Sequence, residues 1–210
     1  MKKGLVNVAL IGTVLVLTAC SEAPNPAASE TKSETKKSEE PQGPVSAKTA
    51  YWEMYKLAHA WSADVAPLSM VSKEVPGIKN GDGKAGRWSV TFVSPKLSQA
   101  RNISYSVVAA PPDVSKGVDV GSPGPWAPTR EAMPFQTSDF AIDSDAAYKT
   151  AFAKAEGWVK EHPGKESAAL TLGYNTVRFN SPVWYVQWGT PKLGYAAFIN
   201  ATTGTPVTAK

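Results

Sequence analysis

His59 and His162, together with Asp139, Asp143 and Asp145, are the side chains whose type and spacing could ligate a metal or move a proton. Neither histidine stands beside carboxylates or cysteines at ligand spacing, so the pair reads as two imidazoles on or just beyond helices. A calcium loop of EF type needs oxygens at regular alternate positions, a central glycine and a closing glutamate. Those are missing around Asp143, and the three aspartates read as caps and turn formers, a role for which Asp is among the preferred residues. Asn80-Gly81-Asp82-Gly83 is a turn signature. The sequence holds no glycine-rich phosphate loop, no Gly-x-Ser-x-Gly elbow, no His-Glu-x-x-His and no two-cysteine zinc motif. No catalytic, cofactor-binding or metal-ligating residue is therefore assigned, and the expectation is a protein that is not an enzyme.

Four residues remain as candidate partner contacts. Lys96 and Lys192 each follow a proline at equivalent turns and could meet an acidic partner, although lysines at turns are commonly solvated. Trp126 stands in a Pro/Gly-rich stretch. It is read two ways: as a plug closing a joint, or as an exposed contact for peptide or glycan, since aromatic anchors are enriched at interfaces. Tyr174 is a second aromatic of the latter kind.

Cys20 is the single cysteine, so no disulfide, redox pair or thiolate cage forms within one molecule. What precedes it is informative. Lys2 and Lys3 lead an apolar run over residues 5–17 that ends in Leu17-Thr18-Ala19-Cys20, the layout of a secretory signal. The run is shorter than the roughly 20 apolar residues a membrane span needs. Leu-Thr-Ala-Cys resembles the lipobox of lipoprotein signal peptides. The resemblance implies acylation of Cys20, cleavage before it, and attachment by that lipid to a membrane. Ser21 follows where an inner-membrane retention signal would place Asp. By resemblance to sorting rules, that points to the periplasmic face of the outer membrane in a diderm host; in a monoderm host the place is the outer face of the cytoplasmic membrane.

Residues 21–47 contain four prolines among Ser, Thr, Glu and Lys, with no aromatic residue. Such composition cannot bury enough apolar surface to offset chain entropy. The segment reads as a tether with a reach of roughly 30 Å. From Lys48 onward, 17 basic side chains face 13 acidic ones, scattered along the chain. A nucleic-acid binder would cluster its positive charge, so that partner class is excluded.

These residues must be carried by elements, and the elements repeat. Ala50-Tyr51, Tyr55, Ala58 and Trp61 return as Ala147-Tyr148, Phe152, Ala155 and Trp158, at an offset of 97. Their spacing marks one face of a helix in each copy. Trp88, Val90 and Phe92, followed by Ser94-Pro95-Lys96-Leu97, return as Trp184, Val186 and Trp188, followed by Thr190-Pro191-Lys192-Leu193, at an offset of 96. Large apolar side chains at every second position predict a strand with one buried face, and the proline motif predicts a turn. A returning strand follows near Ile103, Tyr105 and Val107, and again over 195–199. One further strand fits between helix and hairpin, at 70–75 and at 169–174, the latter with a continuation near 177–179. Trp61, Trp88, Trp158, Trp184 and Trp188 face the expected core.

The expectation is an α+β fold of two tandem units, each helix-strand-strand-strand with the helix covering an antiparallel sheet. Its boundaries are 1–19 for the signal peptide, 20–47 for the lipidated cysteine and tether, 48–110 for the first unit, 111–142 for a Pro/Gly-rich connector and 143–210 for the second unit.

Across 145–207 the chain resembles the PepSY family of exported domains. The carrying residues are the helix ending near Trp158 and His162, then Pro182-Val183-Trp184-Tyr185-Val186, then Ile199-Asn200-Ala201-Thr202-Thr203-Gly204-Thr205-Pro206-Val207. Asn200 stands where the family usually has Asp, and Ala109-Ala110-Pro111-Pro112 stands where the first copy would close in Thr-Gly. The resemblance implies a small non-catalytic module that inhibits or regulates peptidases in the cell envelope. The alternative class is a structural or glycan-binding envelope lipoprotein, with Trp126 and Tyr174 as its contacts.

Overall fold

The computed structural model describes residues 43–210. The expected signal peptide, the lipidation position Cys20 and residues 21–42 of the tether lie outside them. All described residues belong to one compact body.

Helix α1 spans Ala47–Trp61, with Ser46 as its cap, the side chain accepting from the Thr49 N–H. Its buried face is Ala47, Ala50, Tyr51, Met54 and Ala58; of the repeat positions, Ala50, Tyr51 and Ala58 are buried, and Tyr55 and Trp61 are partly buried against the core. Helix α2 spans Ser144–Glu161, capped by Asp143, and buries Ser144, Ala147, Ala151, Ala155 and Val159. Alanine at these positions lets each helix lie close to the sheet, while aromatic rings fill the space at its flanks. His162 follows α2 as its C-cap and Gly164 adopts φ 85°, so the chain leaves the helix at His162-Pro163-Gly164.

The strands are β1 (Ala66–Lys73), β2 (Arg87–Ser94), β3 (Gln99–Ser106), β4 (Gly117–Pro125), β5 (Ala168–Gly173), β6 (Val183–Trp188), β7 (Tyr195–Asn200) and β8 (Pro206–Val207). They form a single antiparallel sheet in the order β4-β3-β2-β1-β5-β6-β7-β8. The fold class is α+β, but the two copies are joined, not strung in tandem. At the joint Met70 opposes Leu172, and Val71 opposes Thr171. Met70 opposes Val90 on β2 just as Leu170 opposes Val186 on β6, so Met70 and Leu170 are equivalent and Val71 faces its own counterpart, Thr171. The centre of the sheet is thus an internal pseudo-twofold, in which one edge strand of each copy pairs with the same strand of the other. A free β1 or β5 edge would expose a row of unpaired N–H and C=O groups; the pairing consumes both.

Each copy supplies four strands, not the expected three. The extra strand of the first copy, β4, lies inside the stretch expected as connector. Val118 and Val120 pack toward the core while Pro123 and Pro125 sit on the outermost strand. An edge strand loses no ladder bond to proline if the missing N–H would have faced solvent, which is how a Pro/Gly-rich sequence forms a strand. The continuation expected at 177–179 is a turn instead, closed by the Phe179 N–H donating to the Asn175 carbonyl at 2.9 Å. The last residues assigned to the tether also join the fold, because Val45 exchanges two backbone bonds of 3.0 Å with Ala85.

The core repeats in detail. Tyr51 and Tyr55 stack with centroids 5.6 Å apart, and Phe92 lies 5.8 and 6.3 Å from them. Tyr148 and Phe152 stack at 5.7 Å, with Trp188 at 5.6 and 6.3 Å. The indole N–H of Trp88 donates to the Val45 carbonyl at 3.0 Å, and that of Trp184 to the Ile142 carbonyl at 2.9 Å. Each tryptophan ties the chain just before a helix to the middle of the sheet. Trp88 and Trp184 then meet edge to face across the pseudo-twofold at 6.3 Å, a favoured arrangement of aromatic quadrupoles.

Candidate functional site

Both helices pack on one face of the sheet, and the other face differs between the copies. On the first, outward Arg87, Ser89, Asn102 and Ser104 are polar, with apolar Val93 and Ala100 farther along the strands: Ser89 donates to Asn102 Oδ1 at 2.9 Å, and Arg87 donates to Ser104 Oγ at 3.2 Å. Ser89 opposes Ser104 in the register. At the equivalent position of the second copy Tyr185 opposes Phe198, and their rings stack at 5.1 Å and 21°. Buried Phe179, from the loop after β5, packs on Phe198 at 4.9 Å.

These rings form one wall of a cavity of about 420 Å³. Its floor is the outward side of the sheet joint, where Ser69 of β1 opposes Gly173 of β5. Gly173 has only the Leu68 carbonyl near its missing side chain, so the floor is open there. The opposite wall is a strap at 130–135. The Thr176 N–H donates to the Arg130 carbonyl at 2.9 Å, the Met133 N–H to the Tyr174 carbonyl at 2.9 Å, and the Phe135 N–H to the Pro67 carbonyl at 3.0 Å. The strap is thereby laid across the ends of β5 and β1. A concave, mainly apolar site with a few polar groups is the usual form of a small-ligand pocket, and its volume falls in the ordinary range of roughly 300–1,000 Å³.

Of the four contacts expected from sequence, Tyr174 lines this groove, its hydroxyl donating to the Asn180 carbonyl at 3.3 Å. Trp126 does not. It is half-buried just past β4, with its N–H donating to the Ser98 carbonyl at 2.9 Å, and so stands at the far edge of the sheet. Lys96 and Lys192 occupy the tips of the β2–β3 and β6–β7 hairpins, which point to opposite ends because β1 and β5 run antiparallel. Their side chains are exposed. The turn carrying Lys96 is braced by Asp64, whose Oδ2 accepts from the Lys96 N–H at 2.8 Å and whose Oδ1 accepts from the Ser62 and Ser94 hydroxyls. Those donors, the Ser62 hydroxyl foremost, hold the Asp64 carboxyl down at about 2. The structure does not bring the four residues together.

The titratable residues that could have done chemistry serve the backbone. Asp143 Oδ1 accepts from the N–H of Ser144 at 2.7 Å and of Lys48 at 2.9 Å. One carboxylate therefore caps α2 and also bonds the first turn of α1, while the Ser144 hydroxyl accepts from the Ala47 N–H at 2.9 Å. Asp139 Oδ2 accepts from the Gln136 N–H, and Asp145 Oδ1 from the Ala146 N–H. The helices are bonded at their starts, but α1 packs on β2, β3 and β4 and α2 on β6 and β7, so His59 and His162 belong to separate halves of the sheet. His162 stacks on Trp158 at 4.1 Å and its Nδ1 bonds the Trp158 carbonyl at 2.7 Å. Among the described residues no group of three or more His, Cys, Asp or Glu could hold a metal ion. Among them, too, no helix is long and apolar enough to cross a membrane.

Sequence reasoning missed Tyr185, Phe198, Phe179 and Arg178. A signal for the first two was present: with Trp184 and Val186 turned inward, Tyr185 must point outward, and an outward aromatic is unusual on a face open to water. Phe179 and Arg178 gave none, because a loop's position over a sheet is not written in any periodicity.

No protein-family model matches the chain, and no curated protein matches it. A solved structure of a lipoprotein-class protein from Clostridium difficile 630 aligns over 77% of this chain and 91% of its own, at 10% identity and a TM-score of 0.43. A superposition that loose defines neither a shared fold nor a shared function.

Proposed function

We propose that the chain is a non-catalytic binding lipoprotein of the cell envelope, anchored through Cys20, and that the groove on the open face of its second copy receives the ligand. The anchor rests on Lys2, Lys3, the apolar run and Leu17-Thr18-Ala19-Cys20. The groove rests on one observation: the inward face of the repeat is kept nearly ring for ring, whereas outward Ser89 and Ser104 are replaced by Tyr185 and Phe198. Stability requires the inward rings in both copies. It does not require a stacked, half-buried aromatic pair on the outward face of one copy alone, and an apolar lining in a concave site is the usual form of a binding pocket.

The PepSY-like reading of 145–207 belongs to the same proposal, with an envelope peptidase or its peptide segment as the partner class. Support comes from the helix, the hairpin and the Asn200 to Gly204 turn, in which Asn200 Oδ1 accepts from the N–H groups of Thr202 and Thr203 at 2.8 and 2.9 Å.

The test is affinity capture from detergent-solubilised envelope, with the soluble fragment 43–210 and its Tyr185→Ser plus Phe198→Ser variant as parallel baits. That variant gives the second copy the outward residues of the first. A peptidase or other envelope component retained by the parent and lost by the variant, at equal stability, is the expected result. Equal retention by both baits moves the site elsewhere, and retention of glycan alone favours the structural class. Metabolic labelling with an alkynyl fatty acid tests the anchor: label is expected on the full chain and absent from Cys20→Ser.

A further inference from the structure

The groove carries a fixed positive charge on its aromatic wall. The Arg178 guanidinium lies 5.2 Å from the ring centre of Phe198 and 5.4 Å from that of Phe179, within cation–π range of both. The backbone beneath it is held from two sides. Asn175 Oδ1 accepts from the N–H groups of Val177 and Arg178 at 3.1 Å each, and the Arg178 carbonyl accepts from the Lys210 N–H at 3.0 Å. Arg178 takes part in neither the Lys56–Glu53 nor the Lys160–Glu156 ion pair. Glu131, exposed on the strap, is the groove's one acidic side chain.

Resting on the groove reading, we propose that its ligand is an amphiphilic carboxylate, with an aryl or acyl body against Phe179, Tyr185 and Phe198 and its carboxylate on Arg178. A neutral apolar ligand would leave the guanidinium unmatched, and a small bare anion would leave the rings wet. A carboxylate on an apolar body meets both, and a guanidinium binds it through two parallel N–H donors. Arg178 is exposed at the rim of the groove, so the apolar body supplies the affinity and the pair with the guanidinium supplies the preference for an acid. Glu131 orients the ligand, because the carboxylate end is repelled from the strap and the body turns toward it. The same chemistry comes from two sources, a small organic acid or the free C-terminus of a peptide ending in an apolar residue.

The experiment is a titration of the 43–210 fragment followed by amide chemical shifts, with two matched probe pairs: 2-naphthoate against 2-naphthylmethanol, and N-acetyl-Leu-Phe as the free acid against its amide. The acid of at least one pair is expected to bind about tenfold tighter than its neutral partner, with shifts centred on 171–185, and Arg178→Gln is expected to bring acid and neutral probe to equal affinity. Glu131→Gln is expected to tighten the acids several-fold. A preference confined to the peptide pair assigns the peptide C-terminus as source, and one shown by the naphthyl pair assigns small acids. Equal binding of acid and neutral probes, or a preference that survives Arg178→Gln, overturns the carboxylate proposal and leaves the groove standing. Shifts from none of the four probes overturn the groove reading itself. Arg178 is exposed, and near-ultraviolet circular dichroism checks that its variant keeps the parent's packing.

Discussion

Asp143 shows how a side chain that could have been a metal ligand is committed to structure. Its Oδ1 serves N–H groups of two helices, Ser144 and Lys48, in a place where α1 and α2 each leave first-turn donors without intrahelical partners. Loss of a cap costs typically about 1 kcal/mol. Asp143→Ala strands donors on two helices, so urea denaturation of the 43–210 fragment should show a loss of roughly 2 kcal/mol, against no more than about half that for Asp145→Ala, which removes one local bond. Tyr51 gives a second prediction at this scale. Burial pushes its phenol up to about 12, against the lowering effect of the 2.8 Å bond between its hydroxyl and that of Thr137. The folded state thus holds the proton more tightly than the unfolded state, whose tyrosines titrate near 10. Stability from this group is whole below pH 10 and is lost as pH rises from there toward 12. Tyr51→Phe should flatten the alkaline limb of a stability–pH curve between those values, measured by denaturant midpoint at each pH.

At the scale of elements, the two tryptophans that tie helix to sheet make matched predictions. Trp88 and Trp184 are both fully buried, and each donates to the carbonyl of the residue leading into its helix. Trp→Phe at either site removes that bond and opens a cavity. Each should cost about 2–3 kcal/mol, and the two costs should agree closely because the surroundings repeat. Their meeting at 6.3 Å predicts that the double variant departs from additivity. The turn at Asn80-Gly81-Asp82-Gly83 also proves to be an element contact. Gly83 has φ 75°, and a side chain there would collide with the backbone of Ser144 and Asp145 at the start of α2. Gly83→Ala should therefore destabilise by at least about 2 kcal/mol through strain and displacement of α2, read as a fall in thermal midpoint. The helix faces and inward strand residues were legible in the sequence, since periods of 3.6 and 2 act within a window of ten residues. β4 was not, because its two valines stand among prolines and glycines and become a strand only against β3.

For the whole molecule, the decisive feature is the pairing of β1 with β5 about Val71 and Thr171. It turns two repeats into one sheet with one core on its helix-bearing face, so neither copy has a boundary at which it could unfold alone. Unfolding of the 43–210 fragment should be a single transition, with circular dichroism and tryptophan fluorescence coinciding; two resolved steps would show that the copies are independent. Val71→Pro, which removes an N–H at the centre of the sheet, should lower stability by about 3 kcal/mol or more and do so for the signals of both copies together.

The sequence by itself determined which residues turn inward, because the inward placement of Tyr51, Trp88 and their counterparts follows from spacing alone. It determined the existence of two like halves and the place of the caps for the same reason. Only the tertiary structure decided that the halves share a sheet, that Asp143 serves both helices, and that Tyr174, Arg178, Phe179, Tyr185 and Phe198 surround one groove. Those outcomes depend on contacts between segments up to a hundred residues apart. They arise where two strand edges satisfy each other's backbone groups, and local periodicity carries no record of which distant edge that will be.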